Sequence, residues 1–217
     1  MTARRAFEEE LESLKLELVK MCRITEDMIS DSITALVAKD KELAASVPPR
    51  DREVDEYELD IERQCMKILL RPQPVADDFR EVSTALKLIT DVERIGDQAS
   101  DIAEIVISLS DRNYIKDLVH LKAMGELGVR MARESVESFI KNDAALADKI
   151  IAADDEMDEL FCVVKDELIE LIKADSGSAD QAIAFMMIAK YLERIGDHAV
   201  NVCEWTKYFE TGVHIKY

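Results

Sequence analysis

The segment Glu93-Arg94-Ile95-Gly96-Asp97 recurs as Glu193-Arg194-Ile195-Gly196-Asp197. Each copy sets two carboxylates four residues apart, the spacing at which helical side chains stand one turn above each other. Downstream acids extend the first pair: Glu93, Asp97, Asp101 and Glu104 fall at i, i+4, i+8 and i+11, which at about 100° per residue confines them to a sector of roughly 80°. The matched set in the second half is Glu193, Asp197, Asn201 and Glu204. Oxygen donors of this kind suit hard or intermediate cations such as Mg²⁺, Mn²⁺ and iron better than copper. Like charges one turn apart cost a few tenths of a kcal/mol per pair, so an arrangement used twice either has compensation nearby or turns the repulsion to holding a cation. Arg94 and Arg194 compensate only in part.

The preceding helix of each half adds donors from a second direction, Asp55 and Glu58 in one, Asp155 and Asp158 in the other. Gly96 and Gly196 each cost about 1 kcal/mol against alanine in a helix interior, and the same costly choice beside both acidic pairs predicts close helix packing there. A solvated acidic helix face is the plain alternative, and the duplication favours a site over it. Two positions break the symmetry. Asn201 stands where the first half has Asp101, a weaker neutral ligand, and His198 where it has Gln98, read as a polar side chain at the groove rim. The expectation is two metal sites of unequal strength, the first the stronger.

Helices must carry these groups. Leu11, Leu14, Leu18, Met21, Thr25, Met28, Ser32 and Ala35 form one stripe of a long helix reaching about Lys39. A second helix passes through Tyr57, Ile61, Ile68 and Leu69 and stops at Arg71-Pro72-Gln73-Pro74, where proline disallows continuation; Pro48 and Pro49 break or kink its approach. A third carries Val82, Ala85, Ile89, Val92, Gly96, Ala99 and Ala103 and ends near Ser110-Asp111-Arg112-Asn113. The second half repeats the order over 114–141, 143–173 and 179–209, and nothing reads as a strand. The motif repeats at an offset of 100, which also pairs Asp55 with Asp155 and Ile68 with Leu168; Met28 with Met131 and Leu43 with Leu146 need 103. The three-residue difference is assigned to the Pro48-Pro49-Arg50 region, where a kink would absorb about one helical turn. The predicted fold is all-α, two tandem, pseudo-symmetric three-helix bundles with six long helices, divided into 1–110 and 111–217. Gly125, Gly128, Ala132 and Ser135 form a small-residue stripe that predicts a closely packed neighbour.

Composition narrows the function classes. Among 217 residues, 46 acidic against 28 basic side chains leave a formal charge of −18, a field that repels nucleic-acid phosphate and anionic lipid and attracts cations or basic protein surfaces. Cys22, Cys65, Cys162 and Cys203 are widely spaced with no CxxC pair and read as small core residues in a reducing compartment. Arg4 and Arg5 run into Glu8-Glu9-Glu10 with no apolar leader, and no stretch has the length of a membrane span; the expectation is a cytoplasmic protein without membrane insertion.

Two three-helix units, each with Glu-Arg-Ile-Gly-Asp near the start of its third helix, resemble the PhoU family of bacterial phosphate-uptake regulators over nearly the whole chain. The resemblance implies an all-α protein that binds divalent or trivalent metal ions (iron, zinc, manganese or magnesium), in some members as multinuclear clusters. It assigns Glu93, Asp97 and Asp101 to one cluster and Glu193 and Asp197 to the other. It further implies contact with the ATPase of a Pst-type phosphate ABC transporter and with a PhoR-type histidine kinase, restraint of both when phosphate is plentiful, and a homodimer. A di-iron carboxylate oxidase, the enzymatic alternative, needs Glu-x-x-His pairs on two helices; His120, His198 and His214 supply none. No phosphate loop or nucleophile-base-acid group occurs, so no enzymatic activity is expected. A helical adaptor with incidental metal binding is the remaining alternative.

Overall fold

A computed structural model of the chain describes residues 3–70 and 76–213, with the side chains at 3, 4 and 6 outside that description. The expected stop at 71–74, and the readings at Arg4 and His214, therefore lie outside the described residues. Among those described, all regular structure is helical: α1 (Ala3–Ala38), α2 (Lys41–Ala45), α3 (Pro48–Leu69), α4 (Ala76–Leu109), α5 (Val119–Lys141), α6 (Ala144–Ala174) and α7 (Ala179–Thr211), with a one-turn 3-10 helix (Ser176–Ser178) between the last two. Six of these are long; α2 is a single five-residue addition.

Local chemistry sets the ends. Lys39 turns the chain out of α1 at φ +57°, and the Asp40 side chain then caps α2 by accepting from the amides of Glu42 and Leu43, each at 3.0 Å. Pro48 and Pro49 open α3 rather than kinking it, because at the first helical positions the missing N–H has no intrahelical partner to lose. Asn142 adopts the left-handed conformation at the C-cap of α5, and Asp143 caps α6 through the Leu146 amide at 2.9 Å. α5 starts at Val119, five residues later than the expected 114. Tertiary bonds hold that stretch in a loop: the Tyr114 hydroxyl donates to Leu36 O at 2.9 Å, and Gln181 takes the Ile115 amide while donating to Asn113 O.

In the first half α1, α3 and α4 pack on one another, and in the second α5, α6 and α7 do the same; α4 lies along α7 and α1 along α5. One continuous apolar cluster runs through all six long helices. The α5 stripe marks its tightest seam, since a Cβ on Gly125 would come within 2.6 Å of Ile33 Cγ1 on α1, while Gly128 faces Ile195 on α7. Cys22, Cys65 and Cys203 are buried as expected, whereas Cys162 is exposed on the outer face of α6, about 160° around the helix from the inward-facing Val164.

The burial pattern corrects the alignment of the repeats. Val54, Ile61 and Cys65 are buried on α3, and Met157, Val164 and Leu168 on α6, an offset of 103 throughout. The register therefore does not change at Pro48-Pro49. It changes between the second and third long helix of each half, where the second half has the shorter connection, so the counterpart of Asp51 is Asp154 and that of Asp55 is Asp158.

Candidate metal centre

Glu93 and Asp97 on α4 face α3, and Glu193 and Asp197 on α7 face α6. In the first groove, burial and the neighbouring charges of Asp97, Glu58 and Asp55 push Glu93 up to about 7, with Arg94 opposing. The Arg94 guanidinium touches both motif acids, Asp97 at 2.8 Å and Glu93 at 3.4 Å. Glu58 accepts from the Thr90 hydroxyl at 3.1 Å. The predicted residues Asp55, Glu58, Glu93 and Asp97 thus share one electrostatic environment, and Asp101 and Glu104 reach it from further along α4.

Asp51 is the residue that sequence reasoning missed. One of its carboxylate oxygens is buried without a hydrogen-bond partner, and burial followed by Asp97, Asp55, Asp101 and Glu104 raises its pKa to about 6. The second half repeats this with Asp154: a buried carboxylate oxygen without a partner, and a pKa raised to about 6 by burial, Asp197, Asp158, Glu193 and Asp155. That oxygen lies 2.9 Å from where a Cβ on Gly196 would stand, so glycine is required for the carboxylate to sit against α7. Gly96 has only ordinary contacts of 3.4 Å with Thr25 and Val54. Carrying the 103 offset past Pro49 would have paired Asp51 with Asp154 from sequence.

The second groove differs in charge. Glu58 and Thr90 are replaced by Phe161 and Lys190; the lysine pairs with Glu193 at 2.5 and 2.6 Å and lies over the Phe161 ring. Asp155, expected as a donor, is exposed and stands one residue outward of Asp154. Asn201 is engaged elsewhere: its amide donates to Asp91 at 3.0 Å across the α4–α7 interface, and His198 Nδ1 lies 2.9 Å from the same oxygen. The symmetric place is filled by Asp101 and Tyr191, whose phenol is held above its ordinary range by burial and by the Asp101 charge and hydrogen bond. Asn201 therefore replaces an acid because its partner across the interface is itself an acid. Glu204 is buried.

The donors are all hard oxygens, and two of those oxygens are buried without a partner at equivalent places; this chemistry fits a divalent or trivalent cation. As placed, no three His, Cys, Asp or Glu side chains among the described residues converge on one point.

Comparison with known proteins gives one consistent result. The model of the PhoU domain matches residues 18–106 and 121–206. The chain is 32% identical over 213 residues to a phosphate-specific transport system accessory protein PhoU homolog of Clostridium acetobutylicum, covering 98% of this chain and 97% of that one. It is 34% identical over 211 residues to PhoU homolog 1 of Thermotoga maritima, covering 97% and 91%. The crystal structure of PhoU from Pseudomonas aeruginosa superposes with a TM-score of 0.91 at 31% identity, covering 95% of this chain and all of that one. The phosphate transport system regulatory protein PhoU from Streptococcus pneumoniae does so with 0.89 at 28%, covering 97% and 100%.

Proposed function

The chain belongs to the PhoU family, and on that premise we propose that it is a metal-binding accessory regulator of phosphate transport, restraining a Pst-type transporter ATPase and a PhoR-type sensor kinase when phosphate is plentiful. The transport role rests on relatives named as phosphate-specific transport system accessory proteins. The metal role rests on one observation: a buried carboxylate oxygen without a partner at Asp51 and again at Asp154, each group's pKa raised first by burial and then by neighbouring acids that include Asp97 or Asp197 of the motif opposite.

When bound, a hard cation would supply the positive charge that Arg94 in the first groove and Lys190 in the second provide only in part. Asp51, Asp55 and Glu58 would hold it from α3, and Glu93, Asp97 and Asp101 from α4. In the second groove Asp154 and Asp158 would act from α6, and Glu193 and Asp197 from α7, with Asp155 at the rim. Because the donors do not converge as placed, binding requires their side chains to rotate inward, tying each pair of helices together. Restraint then follows if the tied and untied forms differ in affinity for the partners. In this reading the protein is non-catalytic, works in the cytoplasm as a homodimer of the duplicated units 1–110 and 111–217, and meets the membrane only through its partners; no helix among the described residues is long and apolar enough to cross one.

The test is Asp97→Ala with Asp197→Ala, followed by elemental analysis of the purified protein and by phosphate-dependent repression in cells. Loss of both supports the proposal. Survival of both leaves the adaptor with incidental metals, and loss of metal with intact repression separates the metal from the regulation.

A further inference from the structure

The corrected register exposes a difference between the two halves on their outer seams. In the first half, α1 is helical from Ala3 and its early turns lie over the C-terminal end of α3: Glu10 pairs with Lys67 at 3.6 Å, Ile68 is only 2% exposed, and the remaining crevice measures about 230 Å³. The equivalent stretch before α5 is the loop that Tyr114 and Gln181 pin down. Among the described residues no helix therefore covers the matching end of α6, and an open groove of about 850 Å³ remains. Its apolar wall is Val119, Val163 and Leu171, and its acidic rim includes Asp117, Asp166 and Glu170. Val119 is 67% exposed and Val163 41%, and Leu171, the counterpart of Ile68, is only half-buried. Lys116 and His120, which stand beside it, are both engaged by Glu167.

We infer that this α5–α6 groove docks an amphipathic, basic helix of a partner protein in the position α1 occupies in the first half. The repeat supplies the shape, a helix laid along α6 with its apolar face inward. Charge supplies the chemistry. Lys67 of the first half, which meets the acid Glu10, is replaced by Glu170, so the incoming helix must offer a cation there. Among the described residues, the ion pairs of Asp166 and Glu170 are with lysines of their own helix, Lys165 at 3.8 Å and Lys173 at 2.8 Å, surface pairs that solvent screens. A second copy of α1 does not suit the groove, because Glu8, Glu9, Glu10 and Glu12 would meet this rim. The groove lies further along α6 than the carboxylate site, and the inference stands independently of metal binding.

The experiment uses the full chain and two labelled peptides in the register of residues 3–15: the native acidic sequence, and one with lysine at positions 8, 9, 10 and 12. Fluorescence anisotropy should show saturable binding of the lysine peptide only. Asp166→Lys with Glu170→Lys should weaken that binding by about tenfold or more and admit the acidic peptide, and Val163→Asp should weaken the lysine peptide's binding with the rim charges intact. Glu53→Lys with Glu56→Lys, an equal charge change on exposed sites of α3, should leave binding within about twofold. The inference is overturned if both peptides bind the native protein alike, or if the α3 variant weakens binding as much as the rim variant, which would make the attraction diffuse. Unchanged helical circular dichroism confirms that these exposed substitutions leave the fold intact.

Discussion

Asp51 and Asp154 are where this molecule departs most from what a folded protein ordinarily tolerates, since each holds a buried carboxylate oxygen with no donor among acids of the same sign. Their pKa values rise from 3.8 to about 6, and that of Glu93 from 4.5 to about 7. A carboxyl raised in the folded state binds more protons there than in the unfolded chain, so stability falls as pH rises across that window. The metal-free protein is therefore expected to melt at a higher temperature at pH 5 than at pH 8. A divalent cation should raise the midpoint at pH 8 and do little at pH 5, where protons already neutralise the groove; a midpoint that rises with pH in the chelated protein would contradict this. Asp51→Asn removes one buried charge while keeping the shape. Because the group is only half-buried, solvent screening holds the gain to about 1 kcal/mol, or about 2–4 °C in the metal-free melting temperature above pH 7. Calorimetry should show that gain together with a smaller response to added cation. The motif acids were legible in sequence because a repeat with glycine at the same place stands out. Asp51 and Asp154 were not, because the offset of 100 set by the motif was carried one helix too far.

At the level of the helices, the α4–α7 seam shows why one apparent departure from symmetry is a compensated exchange. Asp101 faces Tyr191, and at the mirrored place Asp91 faces Asn201 and His198. Asn201→Asp should set two carboxylates against each other and lower the melting temperature, and adding Asp91→Tyr, which recreates the other pair, should recover most of the loss. A single variant as stable as the native protein would show that the seam does not depend on this exchange. On α5 the glycines separate by geometry. Gly125→Ala drives a Cβ to 2.6 Å from Ile33 Cγ1, where overpacking of about 1–3 kcal/mol exceeds the roughly 1 kcal/mol that alanine gains over glycine in a helix. Gly128→Ala meets Ile195 at an ordinary 3.5 Å and should stabilise by up to about 1 kcal/mol. Denaturant unfolding of the two variants should move in opposite directions. Periodicity made the six long helices readable, because each buries one continuous stripe. The late start of α5 was not readable, since Tyr114 and Gln181 act through tertiary bonds that override the local pattern.

Across the whole molecule, the charge of −18 and a single core joining both halves make one acidic body whose two grooves differ in charge. The first has Glu58 and Thr90 where the second has Phe161 and Lys190, and in the second the lysine already pairs with Glu193. The sequence reading rested an inequality of the two sites on Asn201, and that residue serves the α4–α7 seam instead. The most direct test is calorimetric titration of chelator-stripped protein with Mn²⁺ at pH 7.5. Two classes of saturable site are predicted, the tighter abolished by Asp51→Asn with Glu93→Gln and the weaker by Asp154→Asn with Glu193→Gln. Weak, unsaturable binding that the four substitutions together leave unchanged would contradict the account.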